Sequence, residues 1–440
     1  MELLPEEEWI MSEKSNLRNN DSLPKINIDC RLIICILFAL ISLVVSTFLI
    51  MHNGINGVDA YYYWVNSAYS ARGYNLEWVK ESGFVIDSIG KMQGIGVLPY
   101  GRVLSNFLLP GFLSYNAAYI YNWILILFIT VLLFINIFRW VKEKSLFNNI
   151  FECATAALSM IMIPWLWPGY LRAGNIGGII ALMAILSAFY ISRNENVAAL
   201  LIAFALIKPQ IGGIFLIAVF LKKNYRLVVK ILSVIAISEV IHFIYIGIMN
   251  KIRGIYWPVS LNSIISIFEG YAGKNAEAER GDTWYLYYGI FNMLKEIGVP
   301  VFIVLLLSMI AGVAFLIIIL KLIKKNSDLY NDYVIIFAIA SLSSLFWFYK
   351  SECDNIVIIL CNIIVLLYLK ESDKKILSIV AASIFLAGMN WLVGRYILRF
   401  GINVVSYYQG ILIDQILQII LFTMMIILVI KKTDLEKIEN

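Results

Sequence analysis

The chain has 440 residues, of which 61% are hydrophobic and only 15% are charged, and its formal net charge is +5. Soluble domains contain roughly 45–50% apolar and about 25% charged residues, so no soluble core could bury this much apolar surface. The composition therefore excludes an ordinary soluble enzyme and predicts an integral membrane protein. Membrane lipids are the expected partners, and no nucleic acid is expected.

Apolar runs of spanning length recur along the whole chain. The predicted fold class is an all-α, polytopic transmembrane helical bundle with about ten full spans. A cytoplasmic tail at 1–31 precedes a membrane domain at 32–431, and a second tail follows at 432–440. The predicted spans are 32–51, 117–138, 150–165, 176–191, 231–249, 301–320, 334–347, 356–369, 376–391 and 411–430.

The apolar run 197–221 differs from the others because polar and helix-breaking residues interrupt it. Lys208, Pro209 and Gln210 stand at its middle, followed by two glycines. A proline removes a helix hydrogen-bond donor and disfavours helix in the residue before it. We therefore expect two half-helices that meet at Lys208 and form a re-entrant pair.

The placement of Lys and Arg residues predicts which side each segment faces. If the broken run enters and leaves on the same side, most Lys and Arg residues fall in short segments on one side, as cytoplasmic segments do. Both termini of this multi-pass cell-membrane protein are then cytoplasmic, and two large loops at about 52–110 and 250–300 face outward. The stretch 59–71 has no helix breaker and predicts an interfacial helix in the first loop.

Asp59 stands where the chain leaves the first predicted span, at the start of this interfacial helix. Aspartate is a preferred N-cap residue, so the simpler interpretation is a cap that stabilises the helix by ~1 kcal/mol. The functional interpretation is a general base at the outer face of the membrane. The position of the residue is compatible with both.

Lys208 is harder to explain as a structural residue. A charged side chain at mid-bilayer costs at least ~2.5–3.5 kcal/mol, and it usually faces a cavity and has a partner. The half-helix that begins at Pro209 points its free N–H groups toward the same place, and together these groups suit an anion such as phosphate. The alternatives are a side chain that reaches the membrane interface and a structural ion pair.

Several short motifs resemble glycosyltransferase family 87, whose members are polyprenol-phosphate-sugar-dependent enzymes of the GT-C superfamily. The resemblance is clearest in Gly174-Asn175-Ile176-Gly177-Gly178 and in Leu206-Ile207-Lys208-Pro209-Gln210. Asp59, with Tyr61 and Tyr62 after it, resembles the catalytic acidic residue of the first outer loop. The segment 347–354 resembles a polar turn in the C-terminal third of such proteins.

The resemblance implies a GT-C bundle that transfers one mannose-like hexose, with inversion, at the outer face. The donor is a polyprenyl-phosphate sugar, and the acceptor is a glycolipid or a cell-envelope glycan. Asp59 would deprotonate the acceptor hydroxyl, and Lys208, Arg102 and Lys350 would bind the lipid phosphate. Residues that would orient the substrates are Tyr62, Arg172, Asn175, Gln210 and Asp354. No cofactor is required, and no metal ligands are predicted, although a divalent metal stays an option.

Two other functions fit the same residues. A polysaccharide polymerase or ligase also has a large outer loop, and it uses paired arginines such as Arg395 and Arg399. A secondary transporter or flippase would also use a broken helix and a charge at the midplane, although no second broken run matches the first. The chain has no P-loop motif, which argues against an ATP-driven pump.

Overall fold

The structure is a computed structural model that describes residues 29–53, 57–91, 102–162, 174–255 and 298–346, together with position 294 and scattered positions between 416 and 427. Within these ranges the chain is helical, and the only strand-like pairing is an isolated bridge between Ile86 and Gly90. The predicted all-α class is therefore confirmed for the described residues. Both tails, the spans predicted after 347 and most of the loop 250–300 lie wholly or largely outside them.

The described helices follow one another along the chain. They are α1 (Cys30–Asn53), α2 (Val58–Ala71), α3 (Leu76–Ser82), α4 (Arg102–Leu108), α5 (Tyr115–Glu143), α6 (Ile150–Met162), α7 (Gly177–Tyr190), α8 (Glu195–Ala205), α9 (Pro209–Leu221), α10 (Tyr225–Arg253), α11 (Val301–Ile323), α12 (Ser327–Asn331) and α13 (Tyr333–Ser343), and a 3₁₀ turn at Ser344–Phe346 follows. The helix α2 occupies the place of the predicted interfacial helix.

Three of the described helices are long and apolar enough to cross a membrane, namely α5, α10 and the segment Leu306–Ile323 of α11. The apolar segments of α1, α6, α7 and α13 that the structure describes coincide with other predicted spans and have 10–17 residues each. The helical character of the predicted spans is thus confirmed where the structure describes them. The total of about ten crossings stays a prediction.

The break predicted at Lys208 is present, and it divides the run into α8 and α9. These helices have 11 and 13 residues, which correspond to about 16 and 20 Å, whereas the hydrocarbon core is ~30 Å thick. Glu195, in the first turn of α8, pairs with Lys230 at 2.9 Å and with Arg226 at 3.4 Å in the following helix α10. Because α10 follows directly after α9, the start of α8 lies at the same side as the end of α9. The two helices therefore form a hairpin.

The two halves of the hairpin approach each other closely at Gly212. A Cβ atom at Gly212 would collide with the backbone of Ala205 and Leu206, whereas the neighbouring Gly213 faces open space. We expect Gly212→Ala to destabilise the protein by about 1–3 kcal/mol, because the crowded backbone has to move. The matched Gly213→Ala variant should be neutral or slightly stabilising, since alanine favours helix. Thermal unfolding in detergent compares the two, and equal midpoints would contradict this packing.

Polar contacts at the helix ends define two ends of the bundle. At the first, here called the basic end, Lys144 just after α5 pairs with Asp332 at 3.0 Å. At the second, here called the site end, Tyr115 at the start of α5 donates to the carbonyl of Gly57 at 2.7 Å. Helix α10 connects the two, because it starts beside the hairpin and its Arg253 donates to backbone carbonyls of the turn after α2.

This arrangement predicts which positions can be labelled from which side of a membrane. Single cysteines at Asn196 and Arg226, placed in a chain whose native cysteines are replaced, should react with an impermeant maleimide from the same side. A cysteine at Ser82, which is exposed at the site end, should react from the opposite side. Right-side-out and inverted vesicles provide the measurement. Labelling of the Asn196→Cys and Arg226→Cys variants from opposite sides would mean that the run 197–221 crosses the membrane fully.

Candidate functional site

Three helices begin at the site end within hydrogen-bonding reach of one another. Asp59 lies in the first turn of α2, Asn175 lies just before α7, and Lys208 is the N-cap of α9. Asn175 Nδ2 donates to Asp59 Oδ2 at 2.9 Å, and Lys208 Nζ donates to Asn175 Oδ1 at 3.0 Å. The structure therefore brings three of the predicted site residues together. We call this series of hydrogen bonds the polar chain.

A third contact fixes the orientation of the Asn175 amide. Its Oδ1 also accepts the backbone N–H of Gly177, in the first turn of α7, at 2.8 Å. Because Oδ1 accepts from two donors, the NH₂ group has to face Asp59. Asn175 was predicted to orient substrate, which stays a prediction; in the structure its amide donates to Asp59, the predicted base. Asp59 Oδ1 has no hydrogen bond to any residue that the structure describes.

The interpretation of Asp59 as an N-cap is wrong. The N-cap of α2 is Gly57, which has φ +58, and no side chain caps this helix. A side chain at position 57 would collide with the hydroxyl of Tyr115, which donates to the Gly57 carbonyl. Glycine is thus required both for the left-handed backbone and for the close approach. With the cap formed two residues earlier, the Asp59 carboxylate is available to Asn175.

Burial controls the charges of the polar chain. Lys208 is only 6% exposed, and Asp59 is half-buried in α2, outside the candidate spans. Desolvation raises the pKa of Asp59, and this effect exceeds the lowering by the hydrogen bond from Asn175 and by the charge of Lys208. The starts of α7 and α9 also favour negative charge nearby. The site therefore combines a carboxylate that binds protons more readily than usual with a buried cation.

Tyr119 completes the surroundings, although the sequence did not single it out. Gly174, with φ +67, lies so close to α2 that a Cβ atom would come within 2.7 Å of Ala60 Cβ and 2.9 Å of the Tyr119 ring. The buried hydroxyl of Tyr119 has no hydrogen-bond partner among the described residues. Buried hydroxyls are normally paired, so a water molecule or a ligand is expected there. The feature of the sequence that could have pointed to Tyr119 is its position one helical turn after Tyr115.

Three other predicted residues lie within the described ranges, and of these Tyr62 does not join the polar chain. Tyr62 is half-buried on α2, and its ring meets Tyr61 edge-on with centroids 6.1 Å apart. Arg102 is the first residue of α4, and Gln210 lies in the first turn of α9. Residues outside the described ranges are Arg172, Lys350, Asp354, Arg395 and Arg399.

The fold and the site define a broad class. The described residues are mostly helical, the long apolar helices among them indicate a membrane protein, and a half-buried acid and a buried cation meet at the start of three helices. The chain matches no family model, no curated protein and no solved structure. The likeness to family 87 therefore rests on the motifs given above and stays a prediction.

Proposed function

We propose that this protein is a membrane glycosyltransferase. It moves a single hexose from a polyprenyl-phosphate donor to a lipid-linked or cell-envelope glycan acceptor at the outer face, with inversion at the anomeric carbon. The polar chain is the observation that supports this proposal, because it joins a carboxylate and a buried cation through one amide group.

The residues of the polar chain have separate parts in the proposed step. Asp59 takes the proton of the acceptor hydroxyl, whose oxygen forms the new bond to the anomeric carbon. The bond from that carbon to the phosphate oxygen breaks, and its electron pair leaves with the polyprenyl phosphate. Lys208 and the positive end of the α9 helix dipole stabilise the charge that develops on the phosphate. Asp59 later returns its proton to solvent.

In the proposed inversion, the acceptor attacks one face of the sugar while the phosphate leaves from the other. Asp59 and Lys208 bond to the NH₂ and the carbonyl side of the Asn175 amide, respectively. The base and the cation of the proposed step are therefore two separate groups.

The proposal is tested by reconstituting the full chain in proteoliposomes with radiolabelled polyprenyl-phosphate mannose and a glycolipid extract of the source membranes. One hexose added per acceptor, detected by mass spectrometry, is the expected product. Long chains of repeating sugars would instead identify a polymerase, and movement of the donor across the bilayer without a covalent product would identify a flippase. Absence of transfer from mannosyl, glucosyl and galactosyl donors alike would contradict the proposal.

A further inference from the structure

A cavity lies against the side of α2 that faces away from Asp59. It has a volume of about 400 Å³ and is formed by α2, the loop 84–91 and the turn 110–115. Ligand sites typically have volumes of about 300–1,000 Å³, so the cavity is large enough for a small ligand. We call it the aromatic groove. The lining residues that matter here are Tyr61, Trp64, Arg72, Asp87, Phe112 and Tyr115.

The aromatic residues of the groove offer ring surface rather than polar atoms. The hydroxyls of Tyr61 and Tyr115 and the indole N–H of Trp64 all donate to backbone carbonyls, at 2.9, 2.7 and 3.1 Å. Phe112 is 73% exposed at the rim. A ligand therefore meets apolar ring surfaces on this side of the groove. Aromatic residues are common where a protein meets the membrane interface, but that explanation does not account for the polar groups beside them.

The polar groups of the groove combine donors with acceptors and have no net charge. Arg72 Nη1 is held by the carbonyls of Ala68 and Gly111 at 3.0 and 2.8 Å, and its remaining N–H groups make no hydrogen bond to a described residue. Asp87 and Ser88 are exposed on the same groove. Among the described residues Arg72 and Asp87 form no ion pair. One cation, one anion and one hydroxyl beside aromatic rings suit a neutral, hydroxyl-rich ligand.

The groove is formed before any ligand arrives. The hydroxyl of Tyr69 accepts the N–H of Ile86 and donates to the carbonyl of Gly90, both at 2.9 Å, which closes the loop that carries Asp87. Tyr61 ties the same loop to α2 through the carbonyl of Ile89. A loop fixed in this way loses little conformational freedom when a ligand binds, so a weakly binding ligand can still be held.

We propose that the aromatic groove binds a neutral saccharide, as a non-reacting part of the acceptor glycan. Asp59 and Tyr61 are two residues apart in a helix with 3.6 residues per turn, so they face opposite sides of α2. A saccharide in the groove then lies roughly one helix diameter, ~10–12 Å, from the polar chain. It is therefore a remote unit whose binding positions the reacting sugar. The acceptor role rests on the proposed transferase function, whereas saccharide binding does not.

Saturation-transfer NMR on the full chain in lipid nanodiscs tests the proposal. The probes are methyl hexopyranosides and linear tetrasaccharides of mannose, glucose and galactose, with dihexanoyl-phosphatidylcholine as a zwitterionic headgroup probe. We expect at least one tetrasaccharide to bind, and Phe112→Ala and Asp87→Ala to weaken its affinity about fivefold or more. Phe107→Ala is the matched control, because Phe107 is 57% exposed on α4 and does not line the groove. The affinity of the Phe107→Ala variant for the tetrasaccharide should equal that of the wild type.

Each other outcome has a definite meaning. No saccharide binding, binding that Phe112→Ala and Asp87→Ala leave unchanged, or a preference for the phosphatidylcholine probe would overturn the groove proposal. Asp59→Asn should bind the tetrasaccharide as the wild type does. Saccharide binding in the groove without any sugar transfer would contradict the proposed transferase function and leave the groove proposal in place. Sugar transfer with an acceptor KM that Phe112→Ala does not raise would remove the acceptor role of the groove and leave the transferase in place.

Discussion

Asp59→Asn is expected to reduce the turnover of sugar transfer by about 10²–10⁴-fold, which is the usual contribution of a general base. Asparagine has nearly the same shape and can still accept the hydrogen bond from Asn175, but it cannot take a proton from the acceptor. The loss should therefore appear in kcat, with little change in the affinity for either substrate. A transfer assay in proteoliposomes measures both quantities.

The stability of the same variant separates a catalytic role from a structural one. Because burial opposes the ionised form of Asp59, a neutral asparagine should leave the thermal unfolding midpoint unchanged or raise it. Asp328→Asn is a matched control, since Asp328 is also in the first turn of a helix, α12, but is exposed at the basic end. It should keep wild-type turnover. Near wild-type turnover in Asp59→Asn would remove Asp59 as the base.

The broad architecture could be predicted from the sequence because it follows from local properties. Apolar runs gave the positions of α5 and α10, and a lysine next to a proline inside such a run gave the break between α8 and α9. Both signals act within a few residues and need no knowledge of the fold. The helix at 59–71 was predicted for the same reason and begins one residue earlier, at Val58.

The details of the site could not be predicted in the same way. Gly57 and Asp59 are both residue types that cap helices, and only the contact of Gly57 with Tyr115 decides which of them does so. The contact between Asn175 and Asp59 joins positions 116 residues apart, and it depends on the close approach of Gly174 to Ala60 of α2. The aromatic groove was missed because its residues are of the kind that any membrane interface attracts.

Replacing Lys208 with methionine is expected to lower kcat by about 10²–10³-fold, as the removal of a donor to developing charge does in other enzymes. In the variant, Asn175 Oδ1 keeps the N–H of Gly177, and thermal unfolding in detergent checks that the loss of a buried partner leaves the protein folded. Lys223→Met, which changes an exposed lysine just after the hairpin, is the matched control and should retain its activity.

The pH profile of Lys208→Met gives a second, independent readout. Asp59 has to be ionised to act as a base, so the wild-type rate rises with pH, and burial places this rise above the pKa of an ordinary aspartate, about 3.9. The charge of Lys208 lowers the pKa of Asp59, and its loss should therefore move the rise to higher pH. Asn175→Ala removes a hydrogen bond that acts in the same direction and should shift the rise likewise. A reduced kcat with an unmoved pH profile would mean that Lys208 does not influence the ionisation of Asp59. An unchanged kcat would mean that Lys208 only joins α7 to α9.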